Sequence, residues 1–446
     1  MTNLLTRDEE DDGKIYLTDI PLDLLTCIAA FLSPRSIALL GSVGKAFRTL
    51  PENGIRLWAH ENGFDVPKQP DERCAARSLC RAALMYEAAG TISADQSIMV
   101  VDKQKRVLVK NLLPSAGKWE VAKLTTATNA RVKVQTSCKH FFAVVDGCAW
   151  SWGDEWVGQL GQGTWNRKGA LPKKIEALAN VTSLSASHAH CLALTTGGNV
   201  WSWGSGRNGK LGHGNIHNHT LPKRIDAFGQ RVVVSISAGF DHSIAITSDG
   251  SIWSWGDGEG GVLGHGDERD QALPKRIEAF ADHHVIAASA GVNHTLAITA
   301  EGAVWAWGAD PRSWSNTLVG ILGDGSRDLA SFIPKKVEAL AGQTFVAVSA
   351  ATEHSLALTA DGAVWSWGCG ENGVLGHGDD EDRMPAKIAT FDDRCVVAVV
   401  AGDIHNLAVT ADGSSWSWGC GCPNEGGPSK QQLLPERILD DMVAFE

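Results

Sequence analysis

Six histidines recur at one place in a repeated segment: His140, His190, His242, His294, His354 and His405. Imidazoles ligate metals and move protons near neutral pH, so a ring of them would be a candidate site. One copy in every repeat argues instead that each satisfies backbone groups at the same turn of its own unit. His213, His217 and His219 form a second cluster. His213, however, belongs to a recurring Leu-Gly-His-Gly, and no Cys or carboxylate stands at ligand spacing to complete a metal set. Cys420 and Cys422 flank a glycine as a lone Cys-x-Cys and read as free thiols. The basic pairs Lys173-Lys174, Lys223-Arg224, Lys275-Arg276 and Lys335-Lys336 could form a ring for an acidic partner. Arg224 and Asp226, Arg276 and Glu278, and Lys336 and Glu338 lie two apart on one strand face, so local pairing offsets that ring. No Ser/His/Asp arrangement, HExxH or phosphate-cradling loop is evident, and the glycine-rich run 256–261 recurs as a turn. The chain is expected to be non-catalytic, with no metal and no cofactor.

The elements that position these residues follow from the repeat. Trp-x-Trp-Gly begins at Trp150, Trp201, Trp253, Trp305, Trp365 and Trp416, at separations of 51, 52, 52, 60 and 51 residues. Leu-Gly-x-Gly follows five of the six, at Leu160, Leu211, Leu263, Leu322 and Leu375. A period of about 50 residues marks propeller blades rather than helical arrays. In Ile244 to Trp255, two β-prone runs flank Asp249-Gly250, whose positive φ angles suit a tight hairpin; Asp361-Gly362 and Asp412-Gly413 repeat it. Alternation puts Trp253 and Trp255 on one sheet face, Ile252 and Ser254 on the other. A degenerate unit without tryptophans stands upstream, at Ser97 to Val101 and Arg106 to Val109. Leu434 to Ile438 reads as the first part of another unit, so the carboxy-terminal strand is expected to join residues 92–110 in one shared blade. A seven-bladed, mainly β propeller follows, closed so that no sheet edge is left open.

These repeats strongly resemble the regulator of chromosome condensation repeat family over residues 92–446. The resemblance implies a seven-bladed propeller used as a binding surface. The founding member of that family is a chromatin-bound guanine-nucleotide exchange factor for a small GTPase, while other members are binding or scaffold domains, so the fold alone assigns no function. The one irregularity is residues 309–321, where 13 residues stand in place of six. Insertions on repeat scaffolds concentrate recognition, and Asp310, Arg312, Trp314 and Asn316 are the candidate target-binding residues. In the resembled family a projecting insertion contributes to GTPase binding, which keeps a small GTPase as an alternative partner.

Residues 1–16 read as an acidic disordered tail. Residues 17–64 read as short helices: Pro21 suits a first helical turn, and Leu25, Ile28 and Leu32 make an apolar stripe that Leu24 and Phe31 widen. Ile37, Leu39 and Leu40, then Val43, Phe47 and Leu50, with Trp58 beyond, carry more apolar surface than so short a segment buries alone. The order Leu17, Ile20-Pro21, Leu24-Leu25, Ile28, Phe31-Leu32, Leu39, Val43, Phe47 and Trp58 is similar to an F-box, departing at Gly44-Lys45-Ala46-Phe47. That resemblance implies docking on a Skp-type adaptor and a cullin ligase through Ile20, Pro21, Leu24, Leu25, Ile28, Phe31, Leu32, Leu39, Val43 and Trp58. Residues 65–91 read as a helical linker, with Ala75, Leu79, Ala82, Ala83 and Tyr86 forming its stripe.

Charge bounds the partners. The chain carries 40 Lys plus Arg against 51 Asp plus Glu, a formal net charge of -11. This balance argues against nucleic acid and against a chromatin-bound exchange factor. No apolar run reaches the roughly 20 residues that span a bilayer, and the amino terminus lacks a secretory pattern. Ten scattered cysteines fit reduced thiols in the cytoplasm or nucleus. The expected function is therefore a substrate receptor of a cullin-based ubiquitin ligase, with the F-box-like segment on the adaptor and the propeller on an unknown target protein. An exchange factor and a plain propeller scaffold are the alternatives.

Overall fold

The computed structural model describes residues 92–438, apart from 95–96, 102–106, 112–119, 123, 125–131, 138–139, 166–169, 310–319, 326–329 and 421–430. The expected tail, F-box-like segment and helical linker, with every adaptor-binding residue named for them, lie outside the described residues, as do Asp310, Arg312, Trp314 and Asn316.

The described residues form antiparallel four-stranded sheets. The first holds β1 (Ile92–Ala94), β2 (Ser97–Val101), β3 (Val107–Asn111) and β4 (Glu120–Val121). The second holds β5 (Val132–Ser137), β6 (His140–Val145), β7 (Cys148–Gly153) and β8 (Ala170–Lys174). Next come β9 (Val181–Ala186), β10 (His190–Thr195), β11 (Val200–Gly204) and β12 (His219–Arg224), then β13 (Val233–Ala238), β14 (His242–Thr247), β15 (Ile252–Gly256) and β16 (Gln271–Arg276). They are followed by β17 (Val285–Ala290), β18 (His294–Thr299), β19 (Val304–Ala309) and β20 (Ala330–Lys336). The last two sheets are β21 (Phe345–Ala350) to β24 (Arg383–Lys387), through β22 (His354–Thr359) and β23 (Val364–Gly368), and β25 (Val396–Ala401) to β28 (Gln431–Ile438), through β26 (His405–Thr410) and β27 (Ser415–Cys420). Each sheet packs its first strand beside the first strand of the next, and β1 meets β25 and β26, so the sheets follow one another around a propeller axis.

The expected architecture is corrected on three counts. Six blades are built from the repeat, not seven; the remaining sheet, β1–β4, lacks the tryptophan pair and ends in a two-residue strand. The shared blade does not form. Strand β28 pairs along β27 from Ser415↔Ile438 to Cys420↔Gln431, so it completes its own unit and leaves nothing to lend to residues 92–110. No α-helix occurs among the described residues, only short 3-10 turns, so the all-α module is not seen.

The β14–β15 connection departs from expectation as well. It is four residues long, and only Gly250 takes a positive φ (78°). Asp249 works through its carboxylate, which accepts the Thr247 hydroxyl at 2.6 Å and the Ser251 N–H at 3.1 Å. The same carboxylate–threonine bond recurs at Asp361–Thr359 and Asp412–Thr410. Among the described residues a true two-residue turn occurs only in the first repeat blade, where Asp146 and Gly147 both have positive φ.

The core lies between blades. Trp255 is fully buried against Leu192, Val200 and Ile225 of the preceding blade, with Trp253 half-buried beside it. Ile252, on the opposite face, packs with Trp307 of the next. Because each sheet is sandwiched, both of its faces are apolar or small, as the alternation requires.

Candidate functional site

The repeated polar groups are engaged at blade junctions. At the five junctions that carry Leu-Gly, the carbonyl just before that leucine accepts two bonds from the next blade. Val262 O accepts the Trp307 indole N–H at 2.8 Å and the Thr295 hydroxyl at 3.0 Å. Lys210 O serves Trp255 and Ser243 in the same way, both at 2.9 Å. Since Thr295 and Ser243 donate to carbonyls, the imidazoles above them must donate Nε2–H: His242 to Thr295 at 2.9 Å and His190 to Ser243 at 2.8 Å. His294 meets Ser355 at 2.8 Å and His354 meets Asn406 Oδ1 at 2.7 Å. These histidines are therefore structural. The Nε2 partner of His140, His190, His242, His294 and His354 sits in the neighbouring blade, and His190 also meets Ser187 of its own blade at 2.8 Å. Neither ring nitrogen of His405 has a hydrogen-bond partner among the described residues. Burial holds His140, His242, His354 and His405 at a pKa of about 4 and His294 at about 3, so all are neutral near pH 7.

The first glycine of Leu-Gly-x-Gly has its own requirement. At Gly264 (φ +74) an added Cβ would stand 2.8 Å from the Trp307 indole nitrogen. His213, His265 and His377 bond the serine between the paired tryptophans of their own blade at 3.0, 3.0 and 2.9 Å, so His213 plays the part of a repeat residue. Of the three expected local ion pairs two form, Arg224–Asp226 at 3.1 Å and Lys336–Glu338 at 3.7 Å; Arg276 and Glu278 do not pair, while Lys174 and Glu176 do at 3.7 Å. Among the described residues, three metal-ligating side chains converge only at Glu353, Cys369 and Glu371, where both carboxylates are exposed. Cys420 is described and forms no disulfide; Cys422 lies outside the described residues.

What remains available is a loop face. The loops from first to second strand and from third to fourth strand of each blade leave by the same sheet ends. On this face Trp156 and His188 have ring centroids 5.2 Å apart, and His188 and Phe240 5.4 Å apart. Phe240 is 42% exposed, the other two partly so. The row crosses three consecutive blades. Lys210 lies beneath it, buried where other blades have Val262, Ile321 or Val374, and its ammonium bonds Asp241 beside Phe240. Sequence reasoning did not single out Trp156, His188 or Phe240. A signal was present: Trp156 occupies the place of Arg207, Glu259 and Glu371, and Phe240 that of Val292, Thr352 and Asp403.

Residues 110–396 match the family described as the RCC1-like domain. The chain belongs to that family. As a member of the RCC1-like domain family it is similar to the E3 ubiquitin-protein ligase HERC2 of Mus musculus, 38% identical over 296 residues that make up 65% of this chain and 6% of that protein. It is similar to the ultraviolet-B receptor UVR8 of Arabidopsis thaliana at 34% identity over 282 residues, 63% of this chain and 62% of that one. The matches thus span less than two thirds of either relative. The crystal structure of human WBSCR16 shares the fold at TM-score 0.62 and 21% identity, covering 73% of this chain and 84% of that one.

Proposed function

We propose that this chain is a non-catalytic receptor in which the propeller's loop face holds a target protein, while the F-box-like segment docks on a Skp-type adaptor of a cullin-based ubiquitin ligase. The observation that carries the propeller half is the division of labour in the blades. Repeated tryptophans, histidines and glycines are engaged in junctions, whereas the loop face displays residues that differ from blade to blade. The adaptor half is supported by the order of apolar residues from Leu17 to Trp58. A family relative named as a ubiquitin ligase, in which such a propeller is a small part of the whole, fits a recognition module attached to ligase machinery. Such a receptor acts by proximity, raising the effective concentration of a target lysine near the ubiquitin carrier. A reducing compartment, cytoplasm or nucleus, fits the five described cysteines, none of which is in a disulfide.

Co-purification of the full chain with a Skp-type adaptor tests the adaptor half, with the double substitution Leu24→Asp and Ile28→Asp as its control. Absence of binding, or binding that survives the double substitution, overturns it. The exchange-factor reading is favoured by the insertion at 309–321. Accelerated nucleotide release from a small GTPase would replace the receptor reading with that one.

A further inference from the structure

We infer that the aromatic row Trp156–His188–Phe240 and the carboxylates around it receive a cationic, Lys- or Arg-bearing segment of the partner protein. This names the chemistry of what the propeller holds. It rests on the propeller being the recognition module and is independent of adaptor docking.

Two observations converge on it. The first is that residues departing from the repeat on separate blades come together in space. Trp156 leaves the third-to-fourth-strand loop of the first repeat blade; His188 and Phe240 leave the first-to-second-strand loops of the next two. Their rings touch in sequence, with interplanar angles of 51° and 40°, so the faces turn progressively around the rim. Independent surface substitutions do not of themselves build a continuous row across three blades. Partly exposed aromatic faces in series attract a cation held within about 6 Å of a ring centroid.

The second observation is charge. Over their whole sequence the loops of this face carry 20 carboxylates against ten basic residues, Arg167 and Lys168 in the loop of Trp156 among them; three of the ten, Arg207, Lys210 and Arg269, belong to the described residues. One of those three, Lys210, is buried and paired with Asp241. Asp257 stands beside Asp241, its N–H on the Asp241 carbonyl at 2.9 Å, and accepts the Asn208 amide, a neutral partner. The recurring basic pairs end the fourth strands at the opposite face. An acidic peptide or a nucleic acid would meet repulsion here, whereas a basic segment is drawn in. In an extended peptide same-side residues stand roughly 7 Å apart, so alternate basic side chains reach both ring faces and the flanking carboxylates.

Fluorescence anisotropy with labelled octa-arginine, octa-lysine and octa-glutamate tests this on the full chain, at roughly 50 and 300 mM salt. Both cationic peptides are expected to bind and octa-glutamate to fail. Trp156→Ala with Phe240→Ala is expected to weaken cationic binding at least about ten-fold, the scale of an aromatic anchor. Leu273→Ala, on an outer strand, is the control that leaves it unchanged. Phe240→Ala alone, at an exposed ring, gives the same reading should the double variant melt early. Equal or tighter binding of octa-glutamate or of a single-stranded oligonucleotide overturns the proposal. So does cationic binding that the aromatic substitutions leave intact, because the attraction would then be diffuse charge without the row. Neither readout involves the adaptor, so its absence is scored separately.

Discussion

The two tryptophans of a single Trp-x-Trp-Gly should behave differently when each is cut back to phenylalanine. Trp307 is fully buried, and its indole N–H donates to Val262 O at 2.8 Å. Trp307→Phe removes that bond, a loss of about 1 kcal/mol. It also removes part of a fully enclosed ring, which adds about 1–2 kcal/mol for the space left between blades. Val262 O keeps the Thr295 hydroxyl, so no acceptor is orphaned and no further penalty accrues. The expected total is about 2–3 kcal/mol. Two positions earlier, Trp305 is half-buried, and its indole nitrogen has no hydrogen-bond partner. It packs on Phe280 and His283 at centroid distances of 5.2 and 5.0 Å. Trp305→Phe keeps a ring at that surface and relieves an unpaired donor, so its cost should stay under about 1 kcal/mol. Guanidinium unfolding followed by far-ultraviolet circular dichroism measures both, read as a midpoint shift at unchanged slope. Equal destabilisation by the two substitutions would refute the view that the second tryptophan is junction cement and the first a cover.

Further expectations follow from the same junctions. Gly264→Ala should lower the thermal midpoint more than Trp305→Phe does, since its Cβ meets the Trp307 indole from a positive φ that alanine resists. The Lys210–Asp241 pair should be asymmetric: Asp241→Ala leaves an ammonium 3% exposed without its partner and should cost about 3–5 kcal/mol. Lys210→Met leaves a carboxylate 30% exposed, which water can serve, and should change stability by no more than about 1 kcal/mol. Acid should weaken the fold in two stages. The buried histidines have folded pKa values near 4, below the ordinary imidazole value of 6.5, so the unfolded chain binds more protons between those limits. Their contribution is complete above pH 6.5 and falls away as pH drops towards 4, which a series of thermal midpoints would record. Asp249, Asp361 and Asp412 have pKa values lowered in the fold, so their contribution is lost later, as pH falls below the carboxylate range.

Much of the scaffold was legible because it repeats. The Trp-x-Trp-Gly spacing located the third strand of all six repeat blades, and one histidine per copy already pointed to a structural duty. The hydrogen-bond partner of each histidine was not legible, since a repeat does not reveal whether a group bonds within its unit or across to the next. The same ambiguity misplaced the carboxy terminus. A periodic sequence can be cut at any phase, and Leu434 to Ile438 reads equally well as the opening of a unit or as its close. Backbone pairing decides it: the proline-bearing strand follows the tryptophan strand of its own blade, as β12 follows β11 and β28 follows β27. The Asp-Gly signal erred for a related reason. Threonine two residues before Asp249 supplies a hydroxyl that ties the carboxylate into a wider loop, an effect a dipeptide rule cannot contain.

The loop face was the least legible part, and the reason is physical. Position along one unit is encoded by periodicity, but adjacency between loops of different blades is set by the propeller's curvature, which no single copy carries. Trp156, His188 and Phe240 are separated by 32 and 52 residues in the chain and meet only when three blades are stacked. Each is a lone exception when its copy is read alone. Together they fall where junction chemistry has no further demand, since Gln159 O and Lys210 O below them already receive the Trp203 and Trp255 indoles. A scaffold that fixes its blades with buried, repeated groups frees its rim to vary without loss of stability. Substitutions of the exposed rings at this rim, outside the Lys210–Asp241 pair, should therefore alter binding while leaving the unfolding midpoint in place, and substitutions at the junctions should do the reverse.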